Sequence, residues 1–346
     1  MERPAVVTTE RELDDILSIP QEETVEMMKR LEGDIMILGV GGKMGPTLAM
    51  TAVKACRNAG VNKTVYGVAR FSEPGIVPAL SAKGIECVRC DLLESSEIER
   101  LPRVDNIVFM AGRKFGIVGS DHLTWALNTI VPANVARAFP ESRFVVFSTG
   151  SIYDLRPVDT EGPAEDESFT CIGEYANSCL GRERIFEYYS RANGTRVLQY
   201  RLNYAIDLRY GVLFEVGRQV FEGRPVNLTM GYANVIWQGD ANNIALRSLE
   251  LAASPPEKLN VTGGKVRIRD VAESFGRIWG KKPVFEGAEA PTAFLSNTAK
   301  LRKLLGAPPT SVDTMIHMLA GWIERGGKSL DKPTHFQTRD GQFLDA

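Results

Sequence analysis

A doubly wound α/β fold, with a parallel sheet covered by helices on both faces, is the architecture that this 346-residue chain predicts. Two observations carry it. From Asp34 onward short apolar runs alternate with amphipathic segments, and the first run passes through a glycine-rich turn into the first helix. Composition agrees: 44% hydrophobic and 24% charged residues are ordinary for a globular protein and exclude collagen-like, low-complexity and wholly disordered chains. At about 100 to 200 residues per domain, the length fits one large unit or two lobes.

The elements read in order. Residues 1–34 form a helical extension, with Thr9 and Glu12 in capping-box spacing at the start of one helix. The runs DIMILG, TVYGVA, ECVRC, NIVFMAG, RFVVFS and RVLQYRLN are the strands, with helices such as TLAMTAVKACRNAG between them. Right-handed crossovers then follow from the twist of the strands. Past residue 205 the alternation weakens. We place the dinucleotide-type domain at 35–205 plus 235–255, a smaller C-terminal substrate lobe at 206–234 plus 256–325, and a polar tail at 326–346.

Charge and cysteine usage narrow the class. Lys plus Arg at 41 against Asp plus Glu at 43 leaves a net charge of −2, so there is no basic surplus for a nucleic-acid backbone. No run approaches the roughly 18 apolar residues of a membrane span, and the acidic, polar start is unlike a signal peptide, so the expectation is a cytoplasmic protein. The five cysteines, an odd number, read as thiols. Cys87 and Cys90 resemble a CxxC pair, but on one strand they point to opposite faces and read as buried thiols. His122, His317 and His335 have no ligand spacing, so no metal site is expected.

The turn GVGGKMG places Gly39, Gly42 and Gly45 in GxxGxxG spacing, with Gly41, Lys43 and Met44 between, before a helix opening at Pro46. Such a turn brings backbone close to a pyrophosphate at a helix N-terminus, which makes this a Rossmann-type dinucleotide site. The second strand ends in Ala69 and Arg70, where an NAD enzyme usually has an acid. A guanidinium there favours the 2′-phosphate of NADP, with NAD left open. Asp91 and Leu92 after the third strand fall near the adenine. Ala111 and Gly112 after the fourth let the backbone pass close to the cofactor, and Asn128 and Asn203 complete that set.

These features, with FSTGSIYD, EYANSCLGRERIFE, RLNY, VIWQGDANNIAL and LNVTGG, resemble the extended short-chain dehydrogenase/reductase family, the NAD(P)-dependent epimerase/dehydratase group, over residues 35–325. The resemblance implies Thr149 and Tyr175, 26 residues apart, as the catalytic hydroxyl pair, and a homodimer built on the helices after the fourth and fifth strands. In such chemistry the tyrosine takes or gives the proton of a carbinol while the second hydroxyl holds the reacting oxygen. Its lysine, four residues after the tyrosine, is Cys179 here. An unassisted tyrosine ionises near 10, leaving about one phenolate in a thousand at pH 7. The cationic nicotinamide of the oxidised cofactor, another cation such as Arg182 or Lys114, or a loss of ordinary catalysis are the alternatives, and Arg182 lies roughly 10 Å along the helix axis, which puts its reach in doubt.

The resemblance also bears on substrate. Ala233 and Asn234 stand where a nucleotide-sugar enzyme would bring an arginine, and Gly150 and Ser151 follow Thr149 where a 4,6-dehydratase has acids. A small sugar, lactone or sugar acid is the expected substrate, contacted by Lys114, Phe115, Ser151, Tyr204, Trp237 and Gln238. The rival reading is a cofactor-binding redox or metabolite sensor without turnover. Trp237 could stack on a sugar face, although a tryptophan in an apolar segment is more often core.

Overall fold

In the computed structural model, residues 6–114, 119–168 and 170–341 are described. Strands β1 (Ile35–Leu38), β2 (Val65–Ala69), β3 (Glu86–Arg89), β4 (Asn106–Phe109) and β5 (Arg143–Thr149) join Val197–Leu202 and Glu257–Val261 in a seven-stranded sheet. The spatial order is Glu257–Val261, Val197–Leu202, β5, β4, β1, β2, β3, and every pair is parallel. The order reverses between β1 and β4, so the crevice beyond their C-terminal ends is a topological switch point.

Side-chain alternation builds a core on each face. Ile35, Ile37 and Val145 belong to one buried cluster, and Met36, Leu38, Phe144 and Val146 to the other, as the two-residue period of a strand dictates. A third cluster, including Phe214, Trp237, Phe275 and Trp322, is the core of the smaller lobe. The strand Glu257–Val261 lies in the central sheet, although the sequence boundary at 256 puts it in the smaller lobe. Its LNV run is buried on both sides, as a parallel edge strand covered by helices must be.

Helices α1 (Glu10–Leu17) and α2 (Glu22–Arg30) form at the N-terminus, the first with the Thr9–Glu12 capping box present in full. They are stitched onto the body. Leu13 and Leu17 enter the lobe core, Met27 and Met28 enter a sheet core, and Asn243 of the helix Gln238–Arg247 accepts from Gln21 N and Thr24 Oγ1 at 2.8 Å each. The polar run DANN in that helix is therefore structural. Residues 326–341 likewise fold back. Thr334 donates its N–H and hydroxyl to the two oxygens of Glu215, Phe336 is buried in the lobe core, and Arg339 donates to the Thr292 carbonyl at 2.7 Å.

All five cysteines are free thiols, Cys90 buried and Cys87 half-buried with a side chain on the other face. Among the described residues no helix is long and apolar enough to cross a membrane, and no cluster of potential metal ligands is present.

Candidate functional site

A groove crosses the C-terminal ends of the strands in two connected parts. The first part is lined by Gly39, Gly41, Gly42, Arg70, Asp91, Leu92, Ala111 and Gly112. These are residues that the glycine pattern and strand ends predict. Helix α3 (Gly45–Ala59) begins at the end of the turn with Pro46 in its first turn, so unpaired N–H groups face the groove. Gly39 has φ +91°, and a Cβ there would stand 2.8 Å from the Ala111 nitrogen. At Gly45 a Cβ would stand 2.3 Å from the Val40 carbonyl oxygen. Neither position admits a side chain, and the cradle this leaves fits the pyrophosphate of a dinucleotide. Arg70 is exposed at the rim.

The second part holds the reactive side chains. Lys43, Met44, Lys114, Ser148, Thr149, Ser151, Tyr175, Arg182, Asn203, Tyr204, Tyr210 and Thr334 line it. Thr149 ends β5, and its Oγ1 accepts from Ser151 N at 3.1 Å and donates to Ser151 Oγ at 3.2 Å. Tyr175 stands in the first turn of the long helix Gly173–Asn193, which also carries Cys179 and Arg182.

Tyr175 is held strongly in its phenol form. Burial is the largest cause, and Cys179 adds to it, because the hydroxyl donates to that sulfur. Arg182 and the side-chain contact with Thr149 pull the other way. A sulfur acceptor thus occupies the place where a lysine would stabilise the phenolate.

Arg182 does reach the site, contrary to the axial estimate from sequence. Its extended side chain spans the gap, donating Nη1 to the Phe147 carbonyl at 2.7 Å and Nη2 to Asn128 Oδ1. Asn128 is buried behind the groove and does not line it. Its Oδ1 also accepts from Arg113 N at 3.0 Å, and its Nδ2 donates to Ser178 Oγ at 2.9 Å, so it ties the loop after β4 to the helix of Tyr175. Beneath lies a buried network: Glu183 accepts from Ser148 Oγ at 2.6 Å and from Arg201 Nη2 at 2.8 Å, and Arg201 Nη1 donates to the Tyr153 hydroxyl at 2.6 Å.

Two lysines face the cavity. The Lys43 ammonium sits 3.1 Å from the centroid of the Tyr210 ring, and burial lowers it from 10.5 to about 7. Lys114 lies 5.7 Å from the Tyr175 ring centroid and is lowered to about 8 by burial. Glu215 is raised by burial despite its bonds from Thr334.

Two predicted contacts fall elsewhere. Trp237 is buried in the lobe core beside Gly239 and Leu17, and Gln238 is fully buried, donating Nε2 to Thr47 Oγ1 at 3.0 Å. Helix α1 covers the face that sequence reasoning leaves open to substrate. Phe115 lies outside the described residues. Tyr210, Glu215 and Thr334 were missed, since they come from the lobe and the tail and no local motif marks them.

Residues 35–206 match the model of the NAD dependent epimerase/dehydratase family. No curated protein matches the chain. Solved structures with the same fold include an epimerase from Methanothermobacter thermautotrophicus, at 17% identity and TM-score 0.71 over 88% of this chain and 96% of that one. UDP-glucose 4-epimerase of Thermotoga maritima matches at 16% identity and TM-score 0.70, over 85% and 99% of the two chains. UDP-glucuronic acid 4-epimerase of Bacillus cereus matches at 17% identity and TM-score 0.68, over 85% and 100%.

Proposed function

We infer that this protein is a nicotinamide-dependent oxidoreductase or epimerase acting at a carbinol or keto carbon of a small sugar, lactone or sugar acid. The observation that carries the reading is the presence of Thr149, Ser151 and Tyr175 hydroxyls in the cavity that also contains the glycine-rich turn. Gly39, Gly41, Gly42 and Gly45 would hold the pyrophosphate, Asp91 and Leu92 the adenine side, and Ala111 and Gly112 the passage between. When bound, the cofactor supplies hydride exchange at a carbon. Tyr175 holds or moves the proton of the reacting hydroxyl, and Thr149 orients that oxygen. The Arg182 charge stabilises the ionised tyrosine that Cys179 disfavours.

Arg70 beside Ala69 supports NADP. The UDP-glucuronic acid 4-epimerase of Bacillus cereus is in complex with NAD, which supports the other form. From this chain's own residues we take NADP as the proposal, and calorimetric titration of both forms against the parent and Arg70→Ala tests it. The UDP-glucose 4-epimerase of Thermotoga maritima is seen with UDP-glucose. In this chain Ala233 is buried, and Asn234 bonds to Ser296 N at 3.1 Å and to the Gly263 carbonyl, so that segment offers no cation for a diphosphate. This supports a substrate without a nucleotide.

The decisive experiment is a carbohydrate panel with either cofactor. Tyr175→Phe should abolish turnover and keep cofactor binding. Activity surviving in that variant overturns the reading, and a parent inactive on every compound while binding cofactor tightly favours the sensor.

A further inference from the structure

Residues 326–341 do more than cover the lobe. After the helix Val312–Glu324 this segment turns back, and fixed contacts mark its path. Leu330 N donates to the Arg209 carbonyl at 3.0 Å, and Phe336 is buried in the lobe core. Arg339 donates to the Thr292 carbonyl at 2.7 Å and to the Thr292 hydroxyl at 2.6 Å. Gly341 then lies against the start of the helix that carries Tyr175, where a Cβ on Gly173 would stand 2.5 Å from the Gly341 carbonyl oxygen.

Midway along this path Thr334 enters the site. It is buried, and it lines the same cavity as Thr149, Tyr175 and Tyr204. Thr334 N and Oγ1 donate to the two oxygens of Glu215 at 2.5 Å and 2.9 Å, and Phe336 N donates to Thr334 Oγ1 at 3.2 Å. The neighbouring Ser329, Asp331, Pro333 and Gln337 line a different cavity, together with Phe214 and Arg218. Pro333 and Thr334 are consecutive and belong to different cavities, so the segment is a partition one residue thick between the reactive hydroxyls and a second cleft.

We propose that residues 329–337 are the specificity-determining wall of the substrate cavity, with Thr334, locked by Glu215, as its positioning residue, and that this wall restricts the site to small polyhydroxy compounds without a bulky aglycone or nucleotide. The proposal rests on the functional reading above and deepens it by naming what sets substrate size. A longer ligand needs the space beyond the wall, so it must displace Thr334 and break both bonds to Glu215. Two hydrogen bonds to one carboxylate are worth about tenfold or more in an equilibrium, and that factor is the selectivity the wall imposes.

The test is calorimetric titration of the full chain, with and without reduced nicotinamide dinucleotide, against free hexoses and hexuronic acids and against the phenyl and uridine-diphosphate glycosides of the same sugars. The same series is run on Glu215→Ala, Glu215→Gln, Thr334→Ala and a chain ending at Lys328. The ratio of glycoside affinity to free-sugar affinity should rise about tenfold in Glu215→Ala, at least as much in the shortened chain, and about threefold in Thr334→Ala, which loses one of the two bonds. Glu215→Gln should stay near the parent, because its amide accepts from Thr334 N and donates to Thr334 Oγ1. Cofactor affinity and unfolding midpoints near the parent's show that the variants fold; where the shortened chain, which loses Phe336 from the core, does not, the two alanine variants decide. A ratio unmoved in Glu215→Ala and Thr334→Ala, an equal rise in Glu215→Gln, or no binding of any compound to any chain at about 10 mM overturns the proposal. Tyr175-dependent turnover of a sugar with the ratio unmoved refutes the wall alone. A ratio that rises in Glu215→Ala with no turnover of any compound refutes the catalytic reading and leaves the wall.

Discussion

Replacing Cys179 by lysine should lower the pH at which Tyr175 ionises by about two pH units. Cys179 is fully buried on the same helix, four residues from Tyr175, the spacing at which helix side chains meet at about 5–6 Å. An ammonium about 6 Å from the phenolate oxygen is worth roughly 3 kcal/mol at an effective dielectric of about 20, and about 1.4 kcal/mol moves a pKa by one. The substitution also removes the sulfur that accepts the phenol proton, which acts in the same direction. Arg182 and Lys114 repel the new ammonium and limit its stability, so the gain is read below the pH at which the lysine itself loses its proton. The assay is ultraviolet titration of tyrosinate in Cys179→Lys, with and without Tyr175→Phe, the difference isolating one residue among nine tyrosines. Cys179→Met supplies bulk without charge and should stay within about half a pH unit of the parent. A Tyr175 midpoint in Cys179→Lys at or above the parent's refutes the electrostatic argument.

Lys43→Met should stabilise the protein in acid and not in alkali: the folded state sheds a proton near 7 that the unfolded chain keeps to 10.5, so the cost of the buried charge is full below pH 7 and fades as pH rises to 10.5. The upper bound is about 5 kcal/mol, reduced to about 1–3 by water in the cavity, and urea unfolding at pH 6 and at pH 10 measures it; equal effects at both contradict the sign. Arg201→Met leaves Glu183 in the core without its ion-pair partner and should cost about 3–5 kcal/mol in urea unfolding, whereas Arg201→Met with Glu183→Met should recover much of that loss. Trp125, Ile130 and Tyr188 are 38%, 52% and 66% exposed on the helices beside β4 and β5, so light scattering should give twice the chain mass of 38.1 kDa, and Trp125→Glu should return the monomer. A parent at the monomer mass at micromolar concentration removes the dimer.

The parts of this molecule that sequence made legible are those whose information is local. Strand, GVGGKMG and helix are contiguous, and the backbone geometry they impose admits no side chain at Gly39 or Gly45. Thr149 and Tyr175 are legible because one ends a strand and the other opens a helix, and both ends face the same crevice. What stayed hidden depends on side-chain reach and on distant segments. Arg182 was measured along the helix axis, but its guanidinium works off that axis, drawn to Asn128 from the helical segment after β4. Trp237 and Gln238 look like sugar contacts until Leu17 of α1 is placed beside the one and Thr47 of α3 beside the other, and nothing in VIWQGD announces that cover.

The missing lysine is the strongest case. Read along the chain, position 179 is a loss of charge beside the tyrosine, and it argues for a protein that has given up catalysis. Read in space, three cations from the glycine turn, the end of β4 and the helix itself surround the same cavity. Of the three, Arg182 is the cation that pulls the Tyr175 ionisation down, while Lys43 stacks on the Tyr210 ring and Lys114 lies 5.7 Å from the Tyr175 ring centroid. The charge is present, but it is spread over three separate elements. Arg182 is then the cation that decides whether Tyr175 can ionise. Arg182→Gln should therefore raise the Tyr175 midpoint further, where Lys43→Met should leave it unmoved.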